Sequence, residues 1–133
     1  MVSGTPDWTD VKMPLPLLCI RFALLYAVIA MALGLHMAMT QDASMSVAHA
    51  HLAIIGWFGL LSTGVLMRTF PELGERGGKL IVWGLIIGVP VLSAGFMFAS
   101  RGAALGTMLM AIGGLVLFLS VTWLATKVWM LKP

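Results

Sequence analysis

Three histidines are the residues of this chain best suited to chemistry, and they fall on either side of one short loop. His36 lies near the end of the first apolar run, and His49 and His51 lie at the start of the second. Because the loop at 41–44 is short, we expect antiparallel helices that place all three imidazoles at one depth, on one side of a membrane. Ionisable and metal-binding side chains are costly in a bilayer, so they are functional candidates. The pattern indicates a bound heme or metal ion.

The composition predicts a membrane protein. Of the 133 residues, 60% are hydrophobic and 10% are charged, and the mean hydropathy is +1.02. The apolar runs reach the roughly 20 residues that a helix needs to cross the hydrocarbon layer. We therefore predict an all-α fold over residues 1–133, a single antiparallel bundle of four transmembrane helices with spans at about 14–39, 46–70, 80–98 and 104–128.

Lysine and arginine predict the orientation, because the positive-inside rule counts them near the ends of spans and gives acidic residues little weight. One face carries six of them: Lys12, Arg68, Arg76, Lys79, Lys127 and Lys132. The other face carries Arg101. We therefore expect a multi-pass protein of the bacterial inner (cytoplasmic) membrane, with both termini in the cytoplasm and the histidines toward the periplasm. These juxtamembrane residues explain the net charge of +3, which indicates no nucleic-acid partner.

The helical face of each histidine predicts its role. At about 100° per residue, His49 shares a stripe with Ala53 and Gly56, whereas His51 points the other way. A planar macrocycle lying against a helix needs small side chains one and two turns from its ligand, and Ala53 and Gly56 occupy those places. We therefore predict that His49 is an axial ligand of a b-type heme. We expect His51 to face another helix, a second subunit or a second ligand set.

Three further residues complete the predicted heme site. A low-spin heme takes two axial imidazoles on opposite faces, and His36 is the predicted second ligand. Arg101 is the predicted electrostatic partner of the heme propionates, the alternative being a solvated loop arginine. Trp57 lies about two turns deeper than His49 and could flank the macrocycle. The chain has no Cys-x-x-Cys-His motif, so a c-type heme attachment is excluded.

Copper is the alternative cofactor. The histidine side also gathers thioethers at Met37, Met39 and Met45, and sulfur together with imidazole selects copper, Cu(I) in particular. Many of the eleven methionines, however, lie where they are ordinary packing residues. A third interpretation has no cofactor. His49 and His51 are then interfacial residues bonded to the loop, in a structural or assembly subunit.

One segment resembles a known family. The sequence HAHLAIIGW from His49 to Trp57, followed by Gly64 and by Pro71-Glu72, is similar to the second transmembrane helix of heme-copper oxidase and nitric oxide reductase catalytic subunits. It looks closer still to small four-helix membrane proteins grouped with that superfamily, which carry a His-x-His-Leu-x-x-x-Gly-Trp signature. The resemblance implies that the helix opens with a histidine ligand of a low-spin heme.

Two departures limit what this resemblance implies. The spacing from His49 to Trp57 is one residue longer than in the large reductases. The binuclear centre of the superfamily uses further histidines on later helices, and the third and fourth runs contain none. We therefore do not expect oxygen or nitric oxide reduction by this chain on its own. We predict a heme protein for electron transfer or for gas or redox sensing, with a redox protein or quinol as partner.

Small residues predict how the helices associate. Lipid supplies no hydrophobic force between helices, so glycine and serine allow the close backbone contact that holds them together. Such residues recur in the second, third and fourth runs. Because one four-helix unit leaves some of these faces unfilled, we expect a homo-oligomer. The spans lack the polar lining of a channel, and the chain has no catalytic triad or phosphate loop, so transport, hydrolysis and nucleotide chemistry are not expected.

Overall fold

The computed structural model describes residues 14–131, and the predicted basic residues Lys12 and Lys132 lie outside this range. Four long helices account for the predicted spans. They are α1 (Leu15–Thr40), α2 (Ser46–Thr69), α3 (Gly78–Ala99) and α4 (Ala104–Trp129). Each is long and apolar enough to cross a membrane. The prediction of an all-α, four-helix, multi-pass protein is therefore confirmed.

Local breaks in the sequence fix the ends of the helices. Pro16 lies in the first turn of α1, where a missing N–H removes no helical hydrogen bond. Gln41 ends α1 in the left-handed conformation, with φ of 55°. Pro71 follows α2 and begins a single 3₁₀ turn, Pro71–Gly74. Gly77, with φ of 100°, directs the chain into α3. The connections are short, so successive helices run antiparallel.

The four helices pack unequally. α1, α2 and α3 contact one another, whereas α4 packs against α3 and the Pro71–Gly74 turn. Among the described residues, α4 makes no comparable contact with α1 or α2. In the most apolar window of each helix, 50% of α3 is buried, against 22% of α1 and of α4. α3 is therefore the central helix, on which the other three are arranged.

Glycines set the contact between α3 and α4. A side chain on Gly95, Gly106 or Gly113 would collide with the backbone of the facing helix. At Gly113, for example, an added Cβ would lie 2.5 Å from the backbone nitrogen of Leu92. The two backbones are thus in direct contact, which is how helices gain van der Waals energy in lipid. Gly106 and Gly113 thus have the packing role predicted for small residues of the fourth span, whereas Gly102 and Gly114 have no atom within 4 Å of an added Cβ.

A proline inside α3 makes that helix depend on a side chain of α1. Pro90 has no N–H, so the carbonyl of Ile86, four residues earlier, lacks its helical donor. The Tyr26 hydroxyl donates a hydrogen bond to this carbonyl. Because an unpaired carbonyl is costly in hydrocarbon, Tyr26 completes the hydrogen bonding of α3 and fixes α1 against it.

α2 is not a regular α-helix. It is α-helical over Ser46–His51, a π-helix over Leu52–Gly59, and α-helical again over Leu60–Thr69. A π turn is closed by an i→i+5 hydrogen bond in place of i→i+4, so it holds one more residue. The faces assigned at about 100° per residue are therefore wrong within Leu52–Gly59, because this segment turns less for each residue.

Candidate functional site

Polar side chains collect at one end of the molecule, which we call the histidine end: the 41–45 loop, the α3–α4 loop and the helical turns beside them. The pKa of Asp42 lies below its ordinary value of 3.8. The main cause is the pair of hydrogen bonds that its carboxylate accepts from the backbone N–H and the hydroxyl of Ser44. The nearby side chains of His36 and Arg101 lower this pKa further. His36 and Arg101 therefore lie at the same end, as predicted.

The His49 imidazole ties α2 to α1. Its Nδ1 lies 2.8 Å from the carbonyl oxygen of Ala30. A carbonyl can only accept, so Nδ1 carries a hydrogen, and in the neutral ring Nε2 keeps a lone pair. An added Cβ on Gly34 would lie 3.0 Å from Cε1 of His49, so this glycine makes room for the ring. A neutral imidazole whose Nδ1–H is held by a carbonyl is the arrangement typical of metal-ligating histidines.

His51 faces α3 instead. Its Nδ1 lies 2.8 Å from the carbonyl oxygen of Val47, one turn earlier in α2. Its ring packs on Phe96 of α3, with 4.8 Å between the ring centroids. This agrees with the first of the three placements predicted for His51, a neighbouring helix. A small pocket of about 100 Å³ lies beside the ring, lined by Ala50, His51, Ile54 and Ile55.

His36 is not brought to His49. The His49 ring lies on the face of α1 that contains Ala30 and Gly34. His36 follows Gly34 by two residues, which is about 200° around an α-helix, so it lies on the opposite face. Its side chain is exposed. The prediction that both rings bind one iron within a single chain does not fit this geometry, because the short loop aligns the depth of the helices but not their faces.

The three histidine side chains therefore lie in three different surroundings and do not form one site. Within residues 14–131, no group of three or more His, Cys, Asp or Glu side chains is placed to hold a metal ion. The Arg101 guanidinium lies at the same end and donates from Nη1 to the carbonyl oxygen of Met97, at 3.0 Å. It thus caps the last turn of α3, a role that the sequence does not distinguish from contact with a propionate.

Protein atoms fill the space beside Ala53 and Gly56 that was predicted to hold a heme. An added Cβ on Gly56 would lie 3.0 Å from Cγ1 of Val89 and 3.1 Å from Cβ of Tyr26. Ala53 packs against the hydrophobic core, and Trp57 is 43% exposed. Gly56 therefore lets α2 approach α1 and α3, and the predicted use of its space by a heme is wrong. The ligand chemistry of His49 fits a heme, but the filled space at Gly56 does not.

Sequence reasoning missed the residues of α1 and α3 that position the site. Tyr26, the only tyrosine of the chain, packs beside Gly56 and completes α3 at Ile86. The sequence feature that could have identified Tyr26 is Pro90. A proline inside an apolar span leaves the carbonyl four residues earlier without a hydrogen-bond donor. A search for that donor among the apolar helices would have indicated the tyrosine.

Comparison with known proteins assigns no family to this chain. No protein-family model matches it, and neither a curated protein nor a solved structure matches it.

Proposed function

We propose that this chain is a membrane protein that binds a b-type heme through His49 and serves electron transfer or gas and redox sensing. The observation that carries the proposal is the hydrogen bond from Nδ1 of His49 to the carbonyl of Ala30. It holds the ring on α1, selects the tautomer, and leaves Nε2 with the lone pair that an axial ligand donates.

The π-helix in α2 also supports a functional site at His49. Such turns inside α-helices are frequent at functional sites. Here the π-helix begins at Leu52, three residues after His49, and it contains Trp57. It can accommodate the extra residue by which the His49 to Trp57 spacing exceeds that of the large reductases.

The heme in this proposal lies outside the space between α1, α2 and α3, because Tyr26 and Val89 fill that space at Gly56. A histidine of a second copy or a small gas ligand would complete the coordination of the iron. His36 is available for the first arrangement, because it is exposed and faces away from His49 in its own chain. A homo-oligomer would then be needed for six-coordinate iron.

The orientation follows from the positive-inside rule. Arg68, Arg76, Lys79 and Lys127 lie at the end opposite the histidines. We place that end in the cytoplasm and the histidine end toward the periplasm of a bacterial inner membrane. The heme would then exchange electrons at the outer side, with a redox protein or a quinol as partner.

The test is an absorption spectrum of the detergent-purified protein, with a pyridine hemochrome and a copper assay. We expect a Soret band and the reduced α-band of b-type heme. Replacement of His49 by Ala should abolish heme retention, and the matched variant His51→Ala should keep at least part of the heme. Imidazole added to His49→Ala should restore binding, since it can fill the space of the lost ring and donate the same lone pair.

Other outcomes of this experiment would favour other functions. A colourless protein that takes up no added hemin would overturn the heme proposal. Stoichiometric copper in that sample would favour the copper-binding alternative. With neither cofactor bound, the Nδ1–H of His49 acts as a structural tie between α1 and α2, as expected of a cofactor-free assembly subunit.

A further inference from the structure

A groove along α4, at the end of the molecule opposite the histidines, is built from two adjoining pockets. The larger, of about 400 Å³, is lined by Leu119, Thr122, Trp123, Thr126, Lys127 and Met130. The smaller, of about 170 Å³, is lined by Leu80, Ile81, Leu119, Ser120 and Trp123. Because the pockets share Leu119 and Trp123, we treat them as one feature, the α4 groove. It opens between the first turns of α3 and the last turns of α4.

The length of the α4 groove matches one leaflet of a membrane. Its lining residues on α4 recur every three or four positions from Leu119 to Met130, so they form one helical stripe. At about 1.5 Å per residue this stripe is about 16 Å long. The hydrocarbon core is about 30 Å thick, so one leaflet contributes about 15 Å. The walls are mostly apolar, and the groove therefore fits a single acyl chain lying along α4.

The charge at the end of the groove indicates the headgroup. Nζ of Lys127 lies 3.5 Å from the carbonyl oxygen of Glu75, which holds the ammonium beside the α2–α3 connection. An ammonium has three donors, and this carbonyl takes one of them. The same end carries Arg68, Arg76 and Lys79. A phosphate with net negative charge is complementary to this end of the groove.

Trp123 places the groove at the depth of lipid headgroups. An added Cβ on Gly77 would lie 3.1 Å from Nε1 of Trp123, so the indole N–H lies against the turn that begins α3. Tryptophan is enriched at the boundary between hydrocarbon and water, where the ring is buried and its N–H meets polar groups. The apolar wall and the cationic end of the groove therefore lie on either side of that boundary.

We propose that the α4 groove binds one anionic phospholipid, with an acyl chain along α4 and the phosphate at Lys127. Juxtamembrane lysines and arginines attract anionic lipids of the cytoplasmic leaflet, and basic pockets between helices bind their headgroups. The bound lipid would cover the side of α4 that no helix of this chain covers within the described residues.

Native mass spectrometry of the full chain tests the proposal. The protein is mixed in detergent with equimolar phosphatidylglycerol and phosphatidylcholine that carry identical acyl chains. We expect phosphatidylglycerol to be retained preferentially. Lys127→Ala should lower the ratio of the two retained lipids by about fivefold, the effect of one lysine near an anionic surface. Lys79→Ala removes the same charge from an exposed position that does not line the groove and should lower the ratio less than Lys127→Ala does.

A second variant tests the acyl-chain part. Thr122→Phe adds an aromatic ring inside the groove and should reduce the retention of both lipids while the charges stay in place. Equal retention of the two lipids by the unmodified chain would overturn the proposal. So would an equal loss of preference in Lys79→Ala and Lys127→Ala, or unchanged retention in Thr122→Phe.

Discussion

The contact of α3 with α4 and the contact of α1 with α2 both use glycines, but among the described residues only the second contains a side-chain hydrogen bond. α3 and α4 meet backbone to backbone at Gly95, Gly106 and Gly113. No side-chain hydrogen bond joins these two helices in the described part of the chain. α1 and α2 are instead joined by the His49 ring, which lies on α1 and donates to Ala30. Close backbone packing gives cohesion but leaves no space for functional groups, so the candidate chemistry lies where side chains hold the helices together.

The largest effect should come from breaking the glycine contact. Gly113→Leu inserts a side chain against the backbone of Leu92 and should separate α3 from α4, lowering the free energy of unfolding by about 3 kcal/mol or more. Gly114→Leu is the matched control, because nothing lies within 4 Å of its added Cβ, and it should cost less than about 0.5 kcal/mol. Thermal and detergent unfolding measure both. Equal destabilisation by the two variants would show that the difference between the faces of α4 is not real.

A smaller effect is expected at the contact of α1 with α3. Tyr26→Phe leaves the Ile86 carbonyl without a donor, which should cost about 1 to 2 kcal/mol of unfolding free energy. Pro90→Ala supplies an N–H to the same carbonyl, so Tyr26→Phe should cost clearly less in that background. A double-mutant cycle measures this coupling. Additive effects would contradict the compensation of Pro90 by Tyr26.

Gly34→Ala tests the His49 side of the comparison. Its Cβ would press on Cε1 of His49, and we expect a loss of about 1 kcal/mol together with a weaker hydrogen bond to Ala30. Nitrogen-15 shifts of labelled histidine should report the change at Nδ1. Gly59→Ala is the control, because its added Cβ meets only ordinary contacts, the nearest at 3.6 Å. An unchanged His49 signal in Gly34→Ala would contradict the proposed ring position.

The smallest effect concerns the loop between α1 and α2. Ser44→Ala removes one of the hydrogen bonds that lower the pKa of Asp42, so this pKa should rise toward 3.8, as carbon-13 titration of the carboxyl would show. Because the folded pKa is lowered, the carboxylate stabilises the fold above its unfolded pKa, and this contribution is lost as pH falls through the folded value. An unchanged pKa would mean that the backbone N–H of Ser44 alone holds the carboxylate.

The helices could be predicted from the sequence because their limits depend on local signals. The third span was predicted at 80–98 and is observed at Gly78–Ala99. Its limits follow from the apolar run and the glycines before it, and neither requires knowledge of the neighbouring helices. The same holds for Pro71 after α2. Length, hydropathy and helix-breaking residues are properties of the chain itself.

The arrangement of the candidate site could be predicted only in part. Loop length placed His36 and His49 near the same end of the molecule, but their angle about the helix axes depends on how α1 and α2 pack. The prediction of space for a heme at Gly56 was wrong because Tyr26 and Val89 fill that space, and both residues belong to other helices. A choice between i→i+4 and i→i+5 bonding is likewise decided by such packing and not by composition.

The π-helix makes the hydrogen-bonding pattern of α2 a determinant of which side chain lies on α1. Gly56 is fixed between Tyr26 and Val89, so the turns before it have a fixed rotational phase. Restoring α-helical bonding over Leu52–Gly59 with all of its residues kept would change that phase by about 100°. The His49 ring would then leave Ala30 although no histidine had been replaced. The choice between i→i+4 and i→i+5 bonding in α2, as much as side-chain chemistry, selects the histidine that lies on α1.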